Sequence, residues 1–329
     1  MEYRKLGKSE VKVSAITLGA WAIGGFMWGG ADDENAVAAI RKSIDLGVTS
    51  IDTAPVYGMG HSEEIVGQAV AGRRDKVQIL TKYSLHWDGR GVGRFSTPDP
   101  SGKMVTITRS ARYEDVLQEC ERSLKRLGTD YVDLYQQHWP VPEIPIEETL
   151  KAVDKLLKDG KIRAFGVSNF PLELLKQARH IVPVASVQPP YSMINRGIDQ
   201  DLLPYCRDNN VGVVVYSPLQ RGLLTGKVTL DREFPETDHR HDNPYFTREN
   251  RKRVLEFLEK IRPIADRHNA TLAQLVINWT IHRPGITAAL VGARNARQAE
   301  ENAGAADFKL TQQETDRIND LLKDVQLAL

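Results

Sequence analysis

Four titratable side chains stand where apolar runs of this chain give way to polar loops. Asp52 ends the run Thr49-Ser50-Ile51-Asp52, and Tyr57 follows in the adjoining loop, Thr53-Ala54-Pro55-Val56-Tyr57-Gly58. Lys82 ends a second run that begins at Val77, and His138 ends a third that begins at Tyr131. The chemistry they suggest is a tyrosine handing a proton to a carbonyl oxygen. Hydride arriving at a carbonyl carbon leaves an alkoxide-like oxygen that needs a proton or a strong hydrogen bond. A free tyrosine, with a pKa of roughly 10, needs help to exchange protons near neutrality. A neighbouring Lys82 ammonium favours the phenolate and is expected to lower that value. Asp52 would hold the lysine, and His138 would donate a second hydrogen bond to the substrate oxygen. Each residue alone has a blander reading: a strand-end Tyr or His is usually a satisfied, partly buried residue, and a lone Asp caps a helix. The set of four is what favours catalysis.

For these residues to converge, the runs that carry them must be neighbours in one sheet. Short β-rich runs alternate with amphipathic helical stretches along the chain, the pattern of parallel strands joined by crossover helices. Strands are expected at 15–18, 49–52, 78–82, 131–137, 164–168, 185–188, 212–217 and 288–291. Helices are expected at 32–46, 62–71, 113–127, 146–158, 172–180, 200–209, 248–268 and 272–282, then from 296 and at 312–323. Long loops follow the third and seventh strands. An opening hairpin, 3–6 with 11–13, is placed to plug the N-terminal end. Eight strand–helix units account for the chain without a linker. The expectation is an α/β fold, a (β/α)8 TIM barrel with an N-terminal β-hairpin, forming one domain over 1–329, and its catalytic rim is the C-terminal ends of the strands. An open doubly wound sheet would normally carry Gly-x-Gly-x-x-Gly after its first strand. Gly19-Ala20-Trp21-Ala22-Ile23-Gly24-Gly25 lacks that spacing, so barrel loops would have to hold a nicotinamide cofactor.

Asp52-Thr53-Ala54 with Tyr57-Gly58, the strand-ending Thr81-Lys82, and Asp133-Leu134-Tyr135-Gln136-Gln137-His138-Trp139-Pro140 resemble, in order, the tetrad motifs of the aldo-keto reductases. Gly166-Val167-Ser168-Asn169-Phe170, Gln188-Pro189-Pro190-Tyr191 and Tyr216-Ser217-Pro218-Leu219 extend the match. The stretch from Trp21 to Gly30 is similar to the bacterial family-11 branch, which includes general-stress and inositol-associated reductases. The resemblance runs from about Tyr3 to Asn302. It implies an NADPH-dependent reductase of aldehydes or reactive ketones, with Asp52, Tyr57, Lys82 and His138 as the catalytic tetrad and Tyr57 as the general acid.

The same resemblance implies the NADP(H) contacts. Ser168, Asn169 and Gln188 match positions that hold the nicotinamide carboxamide, and Tyr216 matches the platform on which the ring stacks. Ser217, Leu219, Gln220, Gly222 and Lys227 belong to the loop that wraps the pyrophosphate, where glycine permits close approach and lysine offers a cation. Gly292, Arg294, Gln298, Glu301 and Asn302 mark the adenosine end. Many relatives place a lysine where Gly292 stands and an arginine where Gln298 stands, to bind the 2′-phosphate. With neither here, Arg294 is the remaining fixed cation, the alternative being an exposed charge at a helix entry. Trp21, which also counts among the cofactor contacts, is expected with Trp28, Trp87 and Trp139 to wall the substrate pocket, and Phe26 lies nearby.

Composition narrows the partners. Lys and Arg total 44 against 43 Asp and Glu, interleaved, so no electrostatic case favours nucleic acid or an acidic membrane surface. The N-terminus lacks the apolar core of a signal peptide and no window approaches a membrane span, which gives the expectation of a cytoplasmic protein. Cys120 and Cys206 fall in expected helices and read as two buried thiols. Asp238-His239-Arg240-His241-Asp242 superficially suggests a metal site, but a His-x-His on a polar loop without an obvious third ligand is usually solvated, and no metal is expected. The expected partner is a small-molecule carbonyl substrate, and many family members are monomers. Specificity should lie in the loops near 84–112 and 221–246, whose mixed side chains imply no substrate charge. Two alternatives stay open. One is a polyol dehydrogenase running the reaction in reverse, with Tyr57 as base. The other is a nucleotide-binding regulatory subunit, since potassium-channel β subunits resemble this fold and retain much of the tetrad.

Overall fold

The computed structural model describes residues 1–25, 32–99, 102–236 and 238–329. The chain opens with an antiparallel hairpin, β1 (Tyr3–Lys5) against β2 (Lys12–Ser14), with Tyr3 opposite Ser14. Eight parallel strands then close on themselves: β3 (Ile16–Gly19), β4 (Ser50–Asp52), β5 (Gln78–Tyr83), β9 (Leu134–Gln137), β10 (Phe165–Ser168), β11 (Ser186–Gln188), β12 (Gly212–Val215) and β13 (Ala288–Gly292). β13 is hydrogen-bonded back to β3, which completes the (β/α)8 barrel. Around it lie α1 (Asp33–Asp45), α2 (His61–Val70), α3 (Tyr113–Leu127), α4 (Ile146–Lys158), α5 (Leu172–Ile181), α6 (Leu202–Asp208), α7 (Arg248–Arg267), α8 (Leu272–Ile281) and α9 (Ala296–Ala303). α10 (Gln312–Lys323) ends the ordered elements.

Strands covered on both faces read as nearly continuous apolar runs, because neither side meets water. Leu80, Leu134, Val214, Ala288 and Leu290 form the inner cluster together with Leu6, Val11 and Val13 of the hairpin. The hairpin thus stoppers the barrel. Its turn fits so closely that a Cβ on Gly7, at φ +53, would stand 2.7 Å from the carbonyl oxygens of Ala185 and Asn210. Outside, α3 buries Val116, Cys120, Leu124 and Leu127 at helical spacing and stops at Gly128, whose φ of 63 is the left-handed conformation that ends helices. α8 is buried on all its faces and starts with a capping box between Thr271 and Gln274.

The segment after β5 differs from the loop expected there. It folds into a three-stranded antiparallel sheet in the order β6 (Leu85–His86), β8 (Met104–Arg109), β7 (Val92–Pro98). Its two-residue periodicity rests on few residues: Ile107 is fully buried while Met104 is 60% exposed. The sheet covers Ala54 and Val56 beside Tyr57, giving a small apolar cluster with Leu85 and Ile107. The fourth barrel strand also starts later than 131. Val132 makes only an isolated bridge to Ile162, and Asp133 uses its carboxylate on the Ile79 N–H, at 2.9 Å, and on Arg74 and Arg163.

Cys120 and Cys206 are free, and burial pushes both thiols up to about 12. Among the described residues no helix is long and apolar enough to cross a membrane.

Candidate active site

β4, β5 and β9 are adjacent, so Asp52, Lys82 and His138 arrive at one rim. In the parallel register Asp52 pairs with Leu80 and Lys82 with Gln136. Lys82 Nζ has three protons and donates to three oxygens: Asp52 Oδ1 at 2.5 Å, Thr53 O at 2.9 Å and Tyr57 Oη at 3.2 Å. Asp52 Oδ2 accepts from Gln136 Nε2 at 3.1 Å and Gln188 Nε2 at 2.8 Å. The fully buried ammonium is therefore matched by a carboxylate that is itself held on both oxygens. Because Tyr57 Oη accepts from Lys82, its own O–H is left to another acceptor.

The electrostatics depart from the expectation at one point. Burial pushes the Tyr57 phenol above its ordinary value, and the charge and hydrogen bond of Lys82 only partly offset this, since Asp52 pulls the other way. Burial also works against the Lys82 ammonium, but the Asp52 charge and then Tyr57 outweigh it, so its pKa is raised. His138 is driven well below the usual imidazole range, first by burial, then by the charges of Lys82 and Arg109. At neutral pH the rim presents a protonated phenol, an ammonium and a neutral imidazole. The Tyr57 and His138 rings meet edge to face, centroids 5.7 Å apart.

The loop that carries Tyr57 is seated against the turn after β3. A Cβ on Gly58, at φ +67, would lie 2.4 Å from Gly24 O. Gly58→Ala must therefore lift the loop. A misplacement of about 1 Å costs on the order of 10²-fold, so kcat/KM for a carbonyl substrate is expected to fall by that order. The check is steady-state kinetics beside circular dichroism; unchanged kinetics in a folded variant would show that the loop tolerates the shift.

A cavity of about 600 Å³ opens over the rim. Trp21 and Trp139 line it, as expected, and so do Val56, Leu85 and Phe95. Phe95 and Leu85 belong to the unexpected sheet, and no periodic pattern in their short strands pointed to them. Trp87 lies off the cavity wall, packed with Tyr57, Met59 and Val105 on the small cluster under that sheet. Trp28 and Phe26 fall outside the described residues. The expectation of a solvated 238–242 loop is corrected for His239. Its side chain is 4% exposed and its ring lies 4.9 Å from that of Trp21, because the loop folds back across the mouth. Among the described residues no group of three or more His, Cys, Asp or Glu is arranged to hold a metal.

From Tyr57 the cavity continues along the strand ends to α9. Ser168, Asn169, Gln188 and Tyr216 line its near part. Asn169 and Ser217 follow β10 and β12 with left-handed φ values of 60 and 58, so the chain turns sharply out of each strand there. Asn169 Nδ2 donates to His138 O and Ser168 Oγ, and its Oδ1 accepts from Tyr216 Oη at 2.8 Å. Gln188 spends its amide N–H groups on Asp52 and Gln136, which leaves its carbonyl oxygen to the cavity. Acceptors of this kind suit a carboxamide.

Ser217, Leu219, Gly222, Thr225 and Lys227 form the next wall, and a Cβ at Gly222 would meet nothing within 4 Å. Gln220 is turned inward instead, its Oε1 accepting from Ser192 Oγ at 2.9 Å. Gly292, Arg294, Gln298, Glu301 and Asn302 line the far end. Asn302 Nδ2 donates to Gly292 O, and Gln298 Oε1 accepts the Arg294 N–H, which fixes the turn into α9. Lys227 and Glu301, expected to bind different parts of one ligand, form an ion pair at 3.1 Å that joins the loop after β12 to α9.

The sequence model of the aldo/keto reductase family matches residues 15–323. The aldo-keto reductase YhdN of Bacillus subtilis (strain 168) is 39% identical over 327 residues, spanning 98% of this chain and 94% of that protein. The NADH-specific methylglyoxal reductase of Escherichia coli (strain K12) is 35% identical over 312 residues, or 93% and 94% of the two chains. Among solved structures, the glycerol dehydrogenase AKR11B4 from Gluconobacter oxydans aligns with a TM-score of 0.87 at 38% identity, covering 97% of this chain and 94% of its own.

Proposed function

The chain belongs to the aldo/keto reductase family, oxidoreductases that use nicotinamide cofactors, and from that premise we propose that it transfers a hydride from NADPH to an aldehyde or reactive ketone, with Tyr57 as the general acid. The observation that carries this reading is the use of the Lys82 protons. All three are committed, one of them to Tyr57 Oη, so the phenolic proton is the one available to a carbonyl oxygen at the cavity floor.

The bound nicotinamide would supply the hydride. Gln188, Asn169 and Ser168 would orient its carboxamide, and the wall from Ser217 to Lys227 would hold the phosphates. As negative charge grows on the substrate oxygen, Tyr57 passes its proton, and the ammonium 3.2 Å away stabilises the phenolate left behind. Asp52 acts through Lys82, keeping it charged and in place. Neutral His138 can give a ring N–H to the same oxygen without competing for the proton. Trp21, Trp139 and Phe95 keep bulk water from the carbonyl.

Arg294 is the cation we assign to the adenosine 2′-phosphate. Arg294→Ala is then expected to weaken NADPH at least tenfold, the loss of one charge-assisted contact worth roughly 1.5–3 kcal/mol, and to leave NADH within about twofold. Fluorescence titration reads both. Equal losses would remove the 2′-phosphate role, and tighter NADH binding by the parent would align it with the NADH-specific relative.

The likeness to a glycerol dehydrogenase favours a second reading, polyol oxidation with Tyr57 as base. The comparison of kcat/KM for glycerol with NADP⁺ against glyceraldehyde with NADPH decides between them at neutral pH. Reduction is expected to be faster.

A further inference from the structure

Three side chains meet beneath the rim, and one of them lies off the cavity wall. Asp52 and Gln188 line the cavity, while Gln136 is fully buried behind them. Side chains alternate along β9, so Leu134 and Gln136 face the barrel interior. Tyr135 between them reaches α3, its hydroxyl donating to Val116 O at 3.4 Å. The interior layer beneath is apolar, with Leu80, Leu134, Val214 and Leu290, as barrel interiors usually are. An amide placed there costs free energy unless its polar ends are paired. Space is also kept for it. Gly166 stands opposite Gln136 in the register, and a Cβ there would come within 3.3 Å of Gln136 Cγ and 2.7 Å of Ser186 Oγ.

The hydrogen bonds close into a triangle. Asp52 Oδ2 accepts from Gln136 Nε2 at 3.1 Å and from Gln188 Nε2 at 2.8 Å, and Gln136 Oε1 accepts from Gln188 Nε2 at 3.1 Å. A carboxylate only accepts, so the nitrogen end of both amides must face Asp52. Gln136 thus gives to Asp52 and takes from Gln188, and reversed it could do neither. A leucine would fill similar volume, but it would leave a Gln188 N–H buried without this acceptor and Asp52 Oδ2 with one donor fewer. Bonds linked in this way polarise one another. A carboxamide N–H given to the Gln188 carbonyl would strengthen the bonds that Gln188 donates to Asp52 and Gln136. Asp52 in turn holds Lys82.

Building on the reductase reading, we propose that Gln136 is a positioning residue for both halves of the reaction: it keeps the Gln188 carbonyl aimed at the nicotinamide carboxamide and keeps Asp52 seated against Lys82, which serves Tyr57. The charged or titratable groups facing it are Asp52 on β4 and Lys82 on β5, with Tyr57 beyond Lys82 and His138 two residues on. β10 and β11 present Gly166 and Gln188.

The test uses NADP⁺ and its 3-acetylpyridine analogue, which carries a methyl group where the carboxamide has its NH2. Titrated by tryptophan fluorescence, the parent should bind NADP⁺ roughly tenfold more tightly than the analogue. Gln136→Leu should cut that ratio at least threefold and lower kcat for a carbonyl roughly tenfold, with KM for the carbonyl within about twofold. A variant that is merely less stable, with the parent's ratio and kcat, would overturn the proposal and leave the reductase reading standing. In a protein that reduces no carbonyl, a diminished ratio would sustain the Gln136–Gln188 link while the reductase reading falls, and an unchanged ratio would sink both. Gln136→Glu, close to isosteric, carries the test if the leucine variant does not fold. Its carboxyl, once protonated, can donate to Asp52 and accept from Gln188 as the amide does. When ionised it can only accept, and it repels Asp52. Its rate relative to the parent should therefore rise as pH falls between about pH 8 and 5. A relative rate that is flat across that range would show that the amide only fills space.

Discussion

Replacing Tyr57 by Phe is expected to slow carbonyl reduction by roughly 10³-fold, the usual weight of a positioned general acid, while NADPH binding stays within about twofold. The hydroxyl is the acid at the rim, since Lys82 is committed on all three of its own protons and neutral His138 offers a hydrogen bond only. The ring remains, packed beside Trp21 and edge-on to His138, so the cavity keeps its shape. Stability should change little, by about 1 kcal/mol for one lost hydrogen bond. The pH profile of the parent carries a related signature. With the Tyr57 pKa raised, the acid form persists through neutrality and is lost only as pH rises into the alkaline range. With the His138 pKa lowered, imidazole stays neutral on mild acidification, so no loss of rate near pH 6.5 should come from this histidine. A variant that loses binding and turnover in parallel would place the role of Tyr57 in packing instead.

Lys82→Met is expected to damage both activity and fold. Asp52 would keep its contacts with Gln136 and Gln188 but lose its counter-charge in a site almost closed to water. Breaking one side of a buried pair typically costs about 3–5 kcal/mol, which denaturant titration would read directly. Turnover should drop on the order of 10²-fold or more, because the phenolate loses the ammonium that stabilises it. A combined Asp52→Asn, Lys82→Met variant should recover part of the stability and none of the rate. Recovery of both would mean that the pair is only a packing element.

The sequence made the rim visible for a physical reason. Catalytic side chains on a barrel collect at strand ends, so Asp52, Lys82 and His138 each close an apolar run, and the barrel order then makes those runs neighbours. Helices with clear punctuation were legible to the residue: Tyr113–Leu127 ends at a left-handed Gly128, Ile146–Lys158 lies between Pro145 and Asp159-Gly160, and Gln312–Lys323 opens with a Thr311–Glu314 capping box. The sheet at 85–109 was not legible, because its short strands pair with one another and bury few residues.

The direction of the Tyr57 shift was also out of reach. A lysine beside a tyrosine argues for a lowered pKa, and only the completed fold shows that burial outweighs it. The same holds for His239, a polar-loop residue that becomes buried against Trp21 once the loop crosses the mouth, and for Trp87, which packs onto the small apolar cluster that the sheet completes. Pairing of charges is tertiary information. Lys227 and Glu301 lie 74 positions apart, and nothing local in either segment announces their ion pair.

The most direct measurement is NADPH oxidation by the purified protein, followed in absorbance against a panel of aldehydes, ketones and dicarbonyls. A catalyst should complete many cycles per molecule on at least one carbonyl, with the signal lost in Tyr57→Phe. Tight NADPH binding with no more than one slow cycle on every carbonyl, and no oxidation of polyols, would contradict the reductase and favour a nucleotide-binding regulatory protein.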